Sequence, residues 1–332
     1  MRILITGISG FVGKHLLKVL LKNHHEIIGL DKRILGKDAR INENVTFYHG
    51  NILDKSIVLK AMKNVDYIVH LAAEHQDFGI LKEEYFKVNQ QGTKKLLECA
   101  SELNINNFLF YSSVAVYGYC DEPTTEKTEP NPDNYYGESK IAAEKEIMKW
   151  YNQDIKNRLS IIIRPTVIYG KGMNDYANIY RLINTIYKKH FILVGKGNNI
   201  KSIAYVDNIV NATNFLLNNV NSGFHIFNYA DKEHLQTKNI IKIISNSFNK
   251  VIPKINPPYK LTLLLAHFLD IFSKLTRINL SITADRIEKF NTPTYHKAEK
   301  ILEYGFKPKI LNSKGLKLAS KWLAEKYKQK NN

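Results

Sequence analysis

Residues 2–13 read RILITGISGFVG, and the fold turns on how they are read. Arg2 to Thr6 are apolar and β-prone enough for a buried strand. A glycine turn follows, Gly7-Ile8-Ser9-Gly10-Phe11-Val12-Gly13, and KHLLKVLLKN then repeats leucine at helical spacing. Strand, glycine turn and helix make the first half of a dinucleotide-binding unit. Gly7 permits the tight turn, Gly10 lets backbone approach a pyrophosphate, and Gly13 lets the helix pack on the strand. The helix N-terminus then faces the phosphate charge with free N–H groups, and Phe11 and Val12 of the turn before it are expected to contact the cofactor.

The next segment sharpens that reading. HEIIGL at 25–30 reads as a second strand ending at Asp31, 18 residues after Gly13. A carboxylate there accepts from the adenosine ribose hydroxyls and favours NAD, since a 2′-phosphate meets its charge. Lys32 and Arg33 follow, and a base at that place suits the 2′-phosphate, so NADP stands as the second reading.

Further strands are expected at 45–54 (VTFYHGNILD), 66–73 (DYIVHLAA), 107–118 (NFLFYSSVAVYG) and 159–170 (LSIIIRPTVIYG). The run at 107–118 is nearly continuous in apolar residues, as a strand covered on both faces should be. FHIFNYA at 224–230 reads as a late strand returning to the same sheet. A long amphipathic helix is expected over 83–102. Strands alternating with helices predict an α/β fold with a doubly wound parallel sheet. The expected division is a nucleotide-binding domain over 1–166 with returns near 204–230, and a smaller C-terminal substrate lobe over 167–203 and 231–332.

DNYYGESK at 133–140 carries the chemistry. Asp133 or Asn134 caps a helix beginning near Tyr135. Residues i and i+4 share a helix face, so Tyr136 points with Lys140, and Tyr135 pairs with Ser139. Free tyrosine has a pKa of about 10, and a nearby ammonium favours its phenolate. The hydroxyl of Ser113 can hold a substrate oxygen beside the phenol, so Ser113, Tyr136 and Lys140 are the expected catalytic set. Tyr117 reads as packing or pocket wall. His70, His75 and His225 read as structural, with no metal-ligand spacing.

The spacing G-x-x-G-x-x-G, with SSVAVYG at 112–118, Tyr136 and Lys140, resembles the extended short-chain dehydrogenase/reductase family of NAD-dependent epimerases and dehydratases. That resemblance implies a Rossmann fold. It implies that Asn51 and Ile52 flank the adenine, that Leu71, Ala72 and Ala73 form a backbone wall around the cofactor, and that Asn89, Ser112 and Pro165 line it. It puts Glu74, Ser113, Val114 and Thr166 toward the substrate, and Lys201 where an arginine is frequent. It further implies a homodimer built on helices 83–102 and 134–151. HLAAEH, SSVAVYG, RPTVIYG, KSIAYVDNIV and FNYADK together are similar to bacterial epimerases acting on undecaprenyl-diphosphate-linked N-acetylglucosamine, in surface polysaccharide and O-antigen biosynthesis; the run from Gln76 to Ile80 departs from them. The implied substrate is an amino sugar carried on a lipid diphosphate. The other readings are a UDP-N-acetylglucosamine or UDP-hexose 4-epimerase, an NAD(P)-dependent nucleotide-sugar ketoreductase, and an NAD-binding scaffold or regulator.

Charge is the unusual total. The 332 residues hold 48 Lys and Arg against 31 Asp and Glu, a formal +17. Such an excess attracts phosphate-bearing partners. No nucleic-acid recognition motif accompanies it, and a nucleic-acid partner is not expected. Two cysteines, Cys99 and Cys120, suit a reducing compartment and form no metal cluster. No signal peptide and no spanning helix is expected, which makes the localisation cytoplasmic. PPYKLTLLLAHFLDIFSKLTRI at 257–278 sets leucines and phenylalanines at helical spacing between Lys260, Lys274 and Arg277. It reads either as a core helix of the substrate lobe or as an interfacial helix on an anionic membrane surface, peripheral on the cytoplasmic face of the inner membrane.

Overall fold

The computed structural model describes residues 1–40, 42–75, 79–253, 257–276 and 283–331. Gln76 and Arg277 lie outside the described residues, as do the side chains of Phe272, Lys274 and Leu275. The chain divides into two compact units.

The first unit comprises Met1–Ile168, Ala204–Asp231 and His296–Lys309. It is built on seven parallel strands: β1 (Arg2–Thr6), β2 (Glu26–Asp31), β3 (Val45–His49), β4 (Tyr67–His70), β5 (Asn107–Tyr111), β6 (Leu159–Pro165) and β7 (Gly223–Tyr229). Their order across the sheet is β7-β6-β5-β4-β1-β2-β3. Every neighbouring pair is parallel. The inner strands β4 and β6 are buried along their whole length, which explains their unbroken apolar sequence. One face is covered by α1 (Phe11–Lys22), through Leu16, Leu17 and Leu20, and by the helix Val206–Asn219, through Ile209 and Leu216. The other face is covered by α2 (Lys55–Met62), α3 (Gly92–Glu102) and α4 (Tyr135–Asn152), through Val58, Met62, Leu96, Leu97, Ile147 and Trp150. The chain order reverses between β1 and β4, the switch point where ligands of such sheets bind.

Three departures from the sequence reading are informative. The helix expected over 83–102 is interrupted: an α turn at Lys82–Tyr85 leads into a π-helical stretch, Phe86–Gln91, before α3. Such wide turns gather at functional sites because they re-aim a side chain. The strand expected to run to Gly118 stops at Tyr111, and Val114–Tyr117 form a single 3₁₀ turn. Residues 296–309 belong to the first unit rather than to the C-terminal lobe. Tyr304 packs edge-on against Phe227, Phe306 meets Tyr229, and the Lys300 ammonium donates to the Ile226 carbonyl, so β7 gains cover that the rest of the sheet receives from crossover helices.

The second unit comprises Tyr169–Ile203, Lys232–Tyr295 and Ile310–Asn332. The helices Asn178–Tyr187, Thr237–Ser247 and Asn312–Asn331 pack on one another, with Tyr187 stacked on Tyr327 and edge-on to Phe248. The helices Tyr259–Thr276 and Ala284–Asn291 form a second pair around Ala266, Ala284 and Ile287. No helix among the described residues is long and apolar enough to cross a membrane.

Candidate active site

The glycine turn joins β1 to α1, the place its spacing predicts. Gly7 sits at φ +75°, and a Cβ there would lie 2.7 Å from the Ala72 nitrogen, so the turn is pressed against the end of β4. Gly10 caps α1 with no side chain, and the first turn of that helix holds no acid to compete with a bound anion. Gly13 fits more tightly than a strand contact requires: its place against the Gly7 carbonyl and the Ile8 backbone closes the turn itself. Asp31, buried at the end of β2, accepts the Ser9 N–H at 2.9 Å and the Arg33 N–H at 2.8 Å. Its carboxylate therefore ties the glycine turn to β2. Lys32 points to solvent and pairs with the Glu74 carboxylate at 3.5 Å.

The backbone wall after β4 is held by a buried relay that sequence reasoning did not find. Thr93 donates to the Asn89 carbonyl at 2.6 Å, so its oxygen accepts from His70 Nε2 at 3.0 Å. Thr6 donates to His70 Nδ1 at 2.6 Å and accepts the Ala72 N–H at 3.3 Å. Burial, with the positive charge of Lys140 second, lowers the His70 pKa to about 3, so the ring stays neutral and serves as a spacer, as its structural reading requires. Asn89, in the π-helical stretch, completes the wall. Its side chain accepts the Glu74 N–H, donates to the Glu74 carbonyl and donates to Ser139 on α4. Leu71, Ala72 and Ala73 are thereby fixed at both ends. Asn51 folds back to accept the Leu53 N–H, while Ile52 is buried beneath Gly92 of α3, an anchor for the loop.

The structure brings Ser113, Tyr136 and Lys140 onto neighbouring elements of the first unit. Asn134, not Asp133, caps α4 by accepting the Gly137 N–H at 2.9 Å. Gly137 has no room for a side chain: a Cβ would lie 2.4 Å from the Ala115 carbonyl. That contact seats the first turn of α4 against the 3₁₀ turn that Ser113 begins. The Ser113 hydroxyl caps this turn, accepting the Ala115 N–H at 3.1 Å. Val114, half-buried, follows it in the same turn. Lys140 is buried, and its ammonium donates to the Tyr111 carbonyl at 2.8 Å and lies 5.8 Å from the centre of the Tyr136 ring. Burial lowers its pKa to about 7, against the pull of Glu144 in the other direction.

Glu144 was not singled out in the sequence, although it lies one turn beyond Lys140 on the same face of α4. It anchors a buried network. Arg164 donates to both of its oxygens, and the Ser112 hydroxyl donates to one of them. Arg164 also donates to the Tyr117 hydroxyl, which donates to Asn228 on β7. The Ser112 side chain therefore faces the scaffold and not a ligand, and its backbone N–H is used by the Ile163 carbonyl. Tyr117 is packing, as expected. Pro165 ends β6, and Thr166 next to it is buried with a hydroxyl that has no hydrogen-bond partner among the described residues. An uncapped helix start and a glycine turn without room for a Cβ together fit a dinucleotide across the strand ends.

Lys201 lies in the second unit. Its ammonium donates to the carbonyls of Lys289 at 2.9 Å and Thr292 at 2.6 Å, and burial lowers its pKa to about 8. In this structure it closes the C-terminus of the helix Ala284–Asn291. Among the described residues no group of His, Cys, Asp and Glu is placed to hold a metal.

Residues 3–230 match the model of the NAD dependent epimerase/dehydratase family. The chain is 36% identical, over 95% of its length and 92% of the relative's, to the N-acetyl-alpha-D-glucosaminyl-diphospho-ditrans,octacis-undecaprenol 4-epimerase of Escherichia coli O157:H7. Its fold is similar to that of the UDP-glucuronic acid 4-epimerase of Bacillus cereus, solved with NAD, at TM-score 0.79 and 22% identity over 98% of this chain and 100% of that one. It is likewise similar to the UDP-glucose 4-epimerase of Thermus thermophilus, also solved with NAD, at TM-score 0.76 and 20% identity over 98% and 99%. With the glycine turn, Asp31 and the Ser113, Tyr136 and Lys140 set in place, the chain belongs to the NAD-dependent epimerase/dehydratase family of enzymes.

Proposed function

We propose that this enzyme is a 4-epimerase of an N-acetylated amino sugar carried on undecaprenyl diphosphate, interconverting the N-acetylglucosamine and N-acetylgalactosamine forms for surface polysaccharide such as O-antigen. The carrying observation is the 36% identity to the undecaprenol-linked epimerase across nearly the whole of both chains. The geometry of the first unit supplies the chemistry. NAD, when bound, supplies the reversible hydride acceptor. Tyr136 takes the proton of the C4 hydroxyl and returns it after the 4-keto sugar has presented its other face. Lys140, in its charged form, favours the phenolate of Tyr136. Ser113 holds the C4 oxygen through its hydroxyl proton, its own oxygen accepting the Ala115 N–H. Thr166, Val114 and Glu74 line the substrate side in this reading, and Lys201 serves the diphosphate after leaving the carbonyls it now meets. The enzyme works as a homodimer at the cytoplasmic face of the membrane that holds its carrier.

The test compares two substrates. Purified enzyme with NAD is given undecaprenyl-diphosphate N-acetylglucosamine or UDP-N-acetylglucosamine, and the sugar is released and identified. The proposal expects turnover of the lipid-linked sugar and little of the UDP-sugar. Turnover confined to the UDP-sugar would replace it with the soluble nucleotide-sugar reading, and a stoichiometric change in NADH would replace it with a net ketoreductase.

A further inference from the structure

The charge of this chain is segregated. The second unit holds 22 Lys and Arg against 6 Asp and Glu, a formal +16 of the chain's +17. On the same unit lies the helix Tyr259–Thr276, which has two unlike faces. One is used: Ala266 is buried against Ala284 and Ile287, Leu263 packs beside them, and Asp270 accepts the Ala284 N–H at 2.9 Å. The other presents Leu261, Leu264, Leu265, Phe268 and Leu269, each between 45% and 62% exposed. These positions run i, i+3, i+4, i+7 and i+8, one continuous stripe of a helix. An apolar stripe of this length on a water-facing surface marks a binding face.

From this juxtaposition we infer that the outer face of the helix Tyr259–Thr276 docks on an anionic lipid surface, with the basic second unit drawn to the headgroups and the leucine and phenylalanine side chains seated between them. The two features select this occupant together. Nucleic acid would answer the charge but leave the stripe in water. A second copy of the chain would cover the stripe but set two strongly basic units against each other. An anionic bilayer interface satisfies both, and Lys260, exposed at the start of the stripe, stands at headgroup level beside it. Each basic residue near such a surface strengthens attachment about fivefold, an effect that falls with salt. The inference deepens the substrate reading, because a carrier lipid is reached from such a surface, but it stands on the second unit alone.

The test is sedimentation of the full-length enzyme with vesicles of phosphatidylcholine alone and of phosphatidylcholine mixed with phosphatidylglycerol, at low and high salt. Binding to the mixed vesicles at least about tenfold tighter than to the neutral ones is expected, weakening with salt. The double variant Leu264→Glu with Phe268→Glu is expected to lose about tenfold or more of that binding while its melting temperature and NAD binding are kept. Variant and parent binding equally would overturn the inference, as would binding to duplex DNA without binding to vesicles, or a parent dimer that the double variant alone dissolves. Vesicle binding without turnover of lipid-linked sugar would sink the substrate reading and leave the docking face standing. Turnover in detergent without vesicle binding would do the reverse.

Discussion

The two units use charge in opposite ways. The first holds 26 Lys and Arg against 25 Asp and Glu, nearly neutral, while the second holds 22 against 6. In the first unit the charges that matter are buried and answered at short range: Lys140 by the Tyr111 carbonyl, Glu144 by Arg164 and Ser112, Asp31 by two backbone N–H groups. The proton transfer proposed there needs a few groups held in place. In the second unit the excess is distributed and lies mostly outside the core, where the docking inference would have it act at a distance and on a lipid surface. Charge is local and paired in the first unit and collective in the second, and the same chain keeps the two patterns in separate units.

The largest break of this comparison is expected at Tyr136. Tyr136→Phe removes the only group proposed to carry the proton and should lower turnover about 10⁴-fold, with melting temperature and NAD binding unchanged. A conversion assay beside thermal melting checks it. Glu144→Gln should be felt as stability instead: it leaves the Arg164 cation buried without its carboxylate, at a cost of about 3–5 kcal/mol read by chemical denaturation. Were Glu144→Gln nearly silent, the buried network would not be the scaffold described.

Lys140→Met separates activity from stability. The folded pKa of Lys140, about 7, lies below the ordinary 10.5. Between those values the unfolded chain binds a proton that the folded chain does not, so this lysine makes stability rise with pH across the window from about 7 to about 10.5. The variant should lose about 10²-fold in turnover and show a flatter stability profile across that window. Melting curves at several pH values decide this. The smallest effect is expected in the second unit, where Leu264→Glu with Phe268→Glu should change stability by no more than about 0.5 kcal/mol, since those side chains touch solvent.

What the sequence showed follows the same division. Strands β1 and β2 and the glycine turn were legible because burial on both faces and the geometry of a phosphate turn each leave a local pattern, whereas the strand expected over 159–170 ends at Pro165, and a separate short strand, Val167–Tyr169, follows it. The helix cap, the helical spacing and Ser113 pointed to Tyr136 over Tyr135, and the Lys140 ammonium lies 5.8 Å from the centre of the Tyr136 ring. The 3₁₀ turn after Ser113 was not legible, because VAVY is as apolar as the strand before it, and the Ser113 cap and the close approach of Gly137 to the Ala115 carbonyl that hold the turn are seen only in the fold. The π-helical stretch at Phe86–Gln91 was hidden for a related reason: Asn89 reaches Glu74 and Ser139, partners 15 and 50 residues away. Glu144 could have been found, since it continues the face of Tyr136 and Lys140 by one turn. The charge segregation was invisible for the simplest reason, that a total has no address until the fold assigns residues to units.

The central claim is that Tyr136 and its neighbours move a proton in both directions while the redox state returns to its start. The direct measurement follows a lipid-linked N-acetylglucosamine carrying deuterium at C4 through a single incubation with enzyme and NAD. The account predicts N-acetylgalactosamine with the label kept at C4, no accumulation of NADH, and neither outcome with Tyr136→Phe. Loss of the label to solvent, or one NADH formed per sugar converted, would contradict it.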